Sequence, residues 1–251
     1  MSRSEFFYVR PNDVYSNYLR LRKDEFHHLV HVYRRKRGDI FSAVDGKGHV
    51  YECQIEEVLT EELEARIVKK ARYVGEPYFQ LTTALAVPKK DRFELLVEKG
   101  TEVGISKFIP LLTERTVVKV KSIRLNRCQK IALAAMKQSR RSVLPAIEQP
   151  SSFEKLCQHA EGYNLKLLAH EKTEHRNLDD LLQTSKTKNR LKYAKTGILC
   201  IGPEGGFTDE EARLATKHGF ATFGLGPRRL RAETAALIAS VLVLDRMGEL
   251  R

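Results

Sequence analysis

The chain has 251 residues, enough for one large domain or two modest ones, and 42% of them are hydrophobic, which permits a real core. A formal charge of +12 and a pI near 9.5 favour a polyanionic partner, most simply nucleic acid. The longest apolar stretch, residues 235–244, is too short to span a bilayer, and the first ten residues lack the apolar core of a secretory signal. The cysteines Cys53, Cys128, Cys157 and Cys200 stand alone, without a C-x-x-C pair. They indicate neither a zinc site nor a disulfide framework, and read as reduced thiols of a cytoplasmic protein.

In chain order, residues 6–9 (FFYV) read as an opening strand. Residues 24–33 carry Phe26, Leu29 and Val30 at helical spacing. The basic run Arg34, Arg35, Lys36 and Arg37 follows, suited either to RNA phosphates or to a solvated charged turn. IFSAV at 40–44, DGKG at 45–48 and HVYECQIEEV at 49–58 give a hairpin signal, and residues 61–74 alternate as a further strand or two. His27, His28 and His31 cluster, but without Cys or carboxylate partners they read as surface or core histidines rather than a metal site. Residues 1–74 are therefore read as a small β-barrel-like domain, with Gly75, Glu76 and Pro77 as a linker.

Beyond the linker the rhythm changes. Residues 79–87 form a buried-strand pattern ending at Pro88. Lys89, Lys90, Asp91 and Arg92 lead into a helix with Phe93, Leu96 and Val97 inward, closed by Gly104. Residues 108–112 are the next strand, and strand, helix, strand implies a parallel sheet. A helix at 125–139, a short helix at 152–159, a strand at 165–170 and a helical segment at 178–182 follow. Residues 184–195 read as a polar, basic surface loop.

The last stretch, 198–244, carries the chemistry. The apolar run Ile198, Leu199, Cys200, Ile201 stops at Gly202-Pro203-Glu204-Gly205-Gly206. Thr208 and Glu211 have capping-box spacing, and the helix they open should end at His218 and Gly219. A short strand at 221–225 runs into Gly224-Leu225-Gly226-Pro227, and Arg228 to Arg231 lead to a long apolar helix starting near Glu233. Two strand-to-glycine-loop units side by side make a backbone-lined crevice at the carboxyl ends of strands; the alternative is two ordinary turns. Neither loop has P-loop or G-x-G-x-x-G spacing, and Glu204 would repel a phosphate. Glycines with a carboxylate suit a neutral or cationic ligand read by backbone groups, and S-adenosylmethionine is such a ligand.

GPEGGFTDEE at 202–211, followed by LGPRRLRAETAAL at 225–237, closely resembles the RsmE family of the SPOUT superfamily, methyltransferases acting on uridine N3 in small-subunit ribosomal RNA. PKKDRFELLVEKGTEVGISKFIPLLTERT at 88–116 extends the likeness. The resemblance implies an α/β fold: a SPOUT-type domain with a parallel sheet and a trefoil knot at 75–251, after a PUA-like RNA-binding β-barrel domain at 1–74. It implies S-adenosylmethionine as cofactor, ribosomal RNA of the small subunit as partner, a homodimer formed through the catalytic domain, and no metal or membrane.

Carried onto the matching positions, the cofactor would meet Leu199, Ile201, Gly202, Glu204, Gly205, Gly206, Leu225, Gly226, Leu230 and Arg231. Catalysis would fall to Arg231 and Glu233. Either Glu233 or Glu204 would take the N3 proton, or Glu204 would tune the cofactor while Glu233 caps the helix or orients Arg231. RNA would meet Arg34, Arg35, Lys36, Arg37, Lys89, Arg92, Arg141, Arg228 and Arg229. The family pattern Glu-Gln-small-Gly-Arg reads here as Lys137, Gln138, Ser139, Arg140 and Arg141, so Lys replaces Glu and Arg replaces Gly at an expected RNA-facing helix end. The rival readings are a SPOUT enzyme acting on transfer RNA or large-subunit RNA, including at the ribose 2′-oxygen, and a non-catalytic RNA-binding ribosome-assembly protein.

Overall fold

Alternating apolar side chains build the first sheet of the computed structural model, which describes residues 6–89, 91–117, 123–170, 178–183 and 193–250. Lys90 and residues 184–192 of the expected basic loop lie outside the described residues. The chain divides into two compact units, Met1–Glu76 with Leu133–Leu144, and Pro77–Ala132 with Pro145–Arg251.

In the first unit, β1 (Phe7–Tyr8), β2 (Tyr18–Arg22), β3 (Ile40–Val44), β4 (His49–Val58) and β5 (Glu62–Arg72) form one sheet in the order β1-β3-β4-β5-β2. β1 lies parallel to β3 and the other pairs are antiparallel. Tyr51, Cys53 and Ile55 of β4 enter the core beside Leu63 and Ala65 of β5, as a period of two requires. Register shifts at Glu52/Cys53 and Ile55/Glu57 add twist and curl the sheet into a half-barrel with β1 and β2 as its edges. The helical pattern of residues 24–33 resolves into α1 (Lys23–His27) and a wide π-type turn, His28–Val32, which bury Phe26 and Leu29. Asp45 ties the hairpin turn by accepting the backbone N–H of Lys47 (2.8 Å) and of His49 (3.1 Å). Burial works against its charge, but these donors and the His49 ring outweigh that and hold its pKa below the ordinary value.

The segment Leu133–Leu144 completes this unit. Met136 packs on Phe6 and Val44. Glu76, read from sequence as part of a linker, is a buried anchor: its carboxylate accepts the Ser142 and Val143 backbone N–H groups (2.7 and 2.9 Å) and pairs with Arg141 (2.7 Å).

The second unit begins with β6 (Gln80–Ala86), α2 (Arg92–Val103) and β7 (Lys107–Leu112). Gly104 ends α2 in the left-handed conformation, φ 110°. α3 (Leu125–Gln138) lies in this unit as far as Ala132. There follow β8 (Ala146–Ile147), β9 (Ser151–Ser152), α4 (Phe153–Gln158), β10 (Leu165–Ala169), α5 (Leu178–Gln183), β11 (Thr196–Ile201), α6 (Asp209–Lys217), β12 (Ala221–Phe223) and α7 (Ala232–Arg246). The sheet order is β12-β10-β11-β6-β7-β8, with β9 also on β7, and every pair is parallel. α4 and α6 cover one face, where Phe153, Leu156, Phe207 and Ala215 meet Leu168, Ile198 and Cys200. α7 packs against β6, β11, α2 and α5. Strand order reverses between β6 and β11, and such a switch point opens a crevice beyond the strand ends.

Candidate active site

Three parallel strands end side by side and release the loops of the site. β11 ends at Ile201 and turns through Gly202-Pro203-Glu204-Gly205-Gly206, closed by a Gly206 N–H to Pro203 carbonyl hydrogen bond of 2.8 Å. Gly206 sits at φ 68°, in the left-handed region that only glycine enters freely. Phe207 then anchors the loop on Phe153, ring centroids 4.8 Å apart. The capping box opens α6: the Glu211 N–H donates to the Thr208 hydroxyl and the Thr208 N–H to the Glu211 carboxylate. β12 is shorter than its apolar pattern suggests, ending at Phe223, so Gly224 and Leu225 belong to the second loop. The His170 N–H donates to the Phe223 carbonyl (2.9 Å), which ties the end of β10 to that loop.

Between these loops lies a cavity of about 280 Å³. Of the expected cofactor residues, Ile201, Gly202, Glu204, Gly206, Leu225, Gly226 and Leu230 line it. Three do not. Leu199 is fully buried in β11, on the same strand face as Ile201 but a layer below. Gly205 is outside the lining, and its carbonyl accepts from Arg115. Arg231 is the N-cap residue of α7, with an exposed side chain outside the lining. The cavity also takes Ala169 and His170 from β10, which sequence reading did not connect with the site. Their signal was only a strand ending beside others of the same parallel sheet.

Arginines hold the first loop from three directions. Arg229 donates to the Glu204 carbonyl and Arg115 to the Gly205 carbonyl. Arg92 Nη1 lies 3.3 Å from the Glu204 carboxylate, and its Nε lies 3.6 Å from Oε1 of Glu233. Arg115 was missed in the sequence. It follows β7 in a stretch that also lends Glu114, whose carboxylate accepts from the Thr208 hydroxyl (3.3 Å). Glu233 is 7% exposed, and its Oε2 has no hydrogen-bond partner among the described residues.

The expected RNA-contacting residues separate. Arg34, Lys36 and Arg37 are exposed and Arg35 half-buried in the turn before β3. In the second unit Lys89, Arg228 and Arg229 are exposed. Arg92, half-buried, is engaged by two carboxylates rather than presented to a phosphate. Arg141 corrects the expectation outright: it is 2% exposed and its guanidinium faces Glu76, so no phosphate reaches it in this structure. Among the described residues no cluster of His, Cys, Asp or Glu is placed to hold a metal, and no helix is long and apolar enough to cross a membrane. All four cysteines are buried, and burial pushes the Cys53 and Cys157 thiols up to about 12.

A glycine-loop crevice at the carboxyl ends of a parallel sheet accompanies two family matches: an RNA methyltransferase domain over residues 75–244 and an RNA methyltransferase PUA domain over residues 21–68. The chain thus falls in the class of two-part RNA methyltransferases, with a PUA half-barrel and a SPOUT-type catalytic unit. It is 33% identical to ribosomal RNA small subunit methyltransferase E of Synechocystis sp., over 92% of this chain and 74% of that protein. It is 30% identical to the protein of that name in Bacillus subtilis, over 86% of this chain and 85% of the relative. A Legionella pneumophila protein solved with the cofactor S-adenosylmethionine bound superposes with a TM-score of 0.78 at 29% identity, over 97% of this chain and 98% of that one. The chain belongs to the ribosomal RNA small subunit methyltransferase E (RsmE) family.

Proposed function

We propose that this protein transfers a methyl group from S-adenosylmethionine to N3 of a uridine in small-subunit ribosomal RNA. The observation that carries the reading is the pair of glycine loops facing one cavity at the carboxyl ends of β10, β11 and β12. The residues present fit the cofactor: apolar Ile201, Leu225 and Leu230 can flank an adenine, backbone groups can read its edges, and Glu204 offers a carboxylate to a cation. A Cβ on Gly202 would stand 3.1 Å from the Phe207 ring, so the loop is built for glycine. When bound, the cofactor supplies an electrophilic methyl carbon.

The chain's own part is positioning and proton removal. Orientation alone is worth about 7–11 kcal/mol in favourable cases. Glu233 takes the N3 proton, and Arg231, at the start of α7, donates to the uracil oxygen on which charge develops. Lys89, Arg228 and Arg229 of residues 75–251, and Arg34, Arg35, Lys36 and Arg37 of residues 1–74, hold RNA phosphates. We further take residues 198–251 to be tied in a trefoil knot and the active form to be a cytoplasmic homodimer. The exposed apolar Leu95, Ile238 and Leu242 on α2 and α7 support the dimer.

Labelled S-adenosylmethionine offered with small subunits, large subunits, free ribosomal RNA and transfer RNA, all from cells lacking this protein, tests the reading. Label recovered as N3-methyluridine in small-subunit RNA is the expected result. Label in another RNA or nucleoside overturns the target, and no transfer with no cofactor binding overturns the function.

A further inference from the structure

The Arg92, Glu204 and Glu233 side chains come from three separate segments of the second unit. Arg92 is the first residue of α2, just past the end of β6. Glu204 is in the β11 loop, and Glu233 in the first turn of α7. They meet where strand order switches between β6 and β11. Arg92 divides one guanidinium between two carboxylates of unlike surroundings, Glu204 being 46% exposed in its side chain and Glu233 7%. The Glu204 contact, 3.3 Å, is within hydrogen-bond range, and the 3.6 Å Glu233 contact is an ion pair only.

A buried carboxylate that served only the fold would have both oxygens satisfied, since an unmatched buried acceptor costs about 1–3 kcal/mol. Glu233 has one oxygen facing Arg92 and one with no donor among the described residues. An anionic oxygen held in that way fits a ligand that brings an N–H. Ala232 and Ala235 on either side of it in the sequence line the cavity, and Arg92 joins its carboxylate to Glu204, which lines the cavity too.

We infer that Arg92 is a positioning residue shared by the two halves of the reaction, holding the cofactor loop through Glu204 and the proton-accepting carboxylate through Glu233. The inference rests on the methyltransferase reading above. In the step it serves, the uracil N3–H bond breaks and its proton goes to Glu233. The N3 electron pair forms the bond to the methyl carbon, and the pair of the broken carbon–sulfur bond stays on sulfur, leaving a neutral thioether. Arg92 touches neither reacting atom. It holds the far oxygen of the carboxylate that does, and ties that carboxylate to the loop that sets the methyl position. Arg92 therefore has a use beyond phosphate contact, which its two acidic partners would weaken.

The test is a pair of double-mutant cycles on the full chain, reading S-adenosylmethionine affinity by calorimetry and single-turnover methylation of small ribosomal subunits. Arg92→Ala should weaken cofactor binding about 5-fold and slow transfer about 100-fold, within the range of general-base effects. Glu204→Gln should weaken binding by a similar factor, and the double variant by no more than either alone, because one contact has been removed twice. Glu233→Gln should slow transfer with affinity held within about 2-fold, and adding Arg92→Ala to it should slow transfer no further. Arg92→Lys, and guanidinium ion supplied to Arg92→Ala, should restore part of the rate, which sodium chloride at equal concentration should not. Additive effects in both cycles, or no rescue by either route, would overturn the inference and leave the enzyme's activity standing. A wild-type chain that transfers no methyl group would overturn the underlying reading and the inference with it.

Discussion

Two arginine–glutamate pairs, one in each unit, look alike in sequence and differ in how completely they are satisfied. In the first unit Glu76 and Arg141 have side chains 6% and 3% exposed, and the carboxylate takes the Arg141 guanidinium and two backbone N–H groups. In the second unit Glu233 is as deeply buried as Glu76, but it has one distant cation and a bare oxygen. A buried charge surrounded by donors is a fixed part of the fold; one left half-satisfied calls for a further partner, which the proposed reaction supplies. The contrast separates an anchor from a candidate base where residue type and burial alone do not.

The anchor should give the largest effect. Glu76→Ala leaves the Arg141 charge buried without its carboxylate and strips two backbone donors of their acceptor. It should cost about 3–5 kcal/mol, seen as a lower urea midpoint in equilibrium unfolding. A loss below about 1 kcal/mol would place Glu76 and Arg141 among ordinary surface pairs and dissolve the comparison. Glu233→Gln should do the reverse. Folding free energy should stay within about 1 kcal/mol of wild type, because the lost ion pair is long and a bare anionic oxygen is removed, while methyl transfer falls about 100-fold. If Glu233→Gln unfolds the chain as readily as Glu76→Ala, Glu233 is an anchor too.

Arg115 sharpens the comparison from the cofactor side, with a smaller effect. Its side chain is exposed, yet it donates to the Gly205 carbonyl in the first loop. Arg115→Ala should raise the S-adenosylmethionine dissociation constant about 10-fold, equivalent to about 1.4 kcal/mol, with stability almost unchanged. An unaltered affinity would mean that the other arginines hold the loop unaided.

Why Arg115 was missed while the glycine loops were found is a matter of range. The capping box, the glycine stop after α2 and the strand-to-turn boundary at Ile201 and Gly202 are fixed by residues within five positions of each other, and sequence shows them directly. Contacts made across the fold leave no local trace. Gly205 sits in the same motif as Gly202 and Gly206 but turns toward Arg115, 90 positions away. Glu76 stands between Gly75 and Pro77, as a linker residue would, and meets Arg141 across 65 positions. Arg141 therefore read as an RNA contact, because a guanidinium beside other basic residues gives no sign of burial. β2 was passed over for a related reason: its Arg20 and Arg22 look solvated until they are set opposite Glu64 and Glu62 of β5.

The smallest predicted effect lies beside the first anchor, where this chain departs from the resembled family pattern. α3 ends in a Schellman turn: the Arg141 N–H donates to the Met136 carbonyl and the Arg140 N–H to the Lys137 carbonyl. That places Arg140 at the position where helices prefer glycine, and its φ of 58° lies in the left-handed region. Lys137, standing where the family pattern has Glu, is compensated by Glu25 at 2.5 Å, so the exchange of charge is absorbed locally. Among the described residues no comparable ion pair forms at Arg140. The turn packs closely on the chain at Gly75, where an added Cβ would stand 2.5 Å from the Arg140 carbonyl oxygen. Arg140→Gly should therefore remove left-handed strain of about 1–2 kcal/mol and return part of it as greater freedom of the unfolded chain, for a net gain of about 0.5–1 kcal/mol. The check is a higher urea midpoint with an unchanged slope. A lower midpoint would mean that the Arg140 side chain holds the turn, and that the anchor at Glu76 and Arg141 extends one residue further than its hydrogen bonds show.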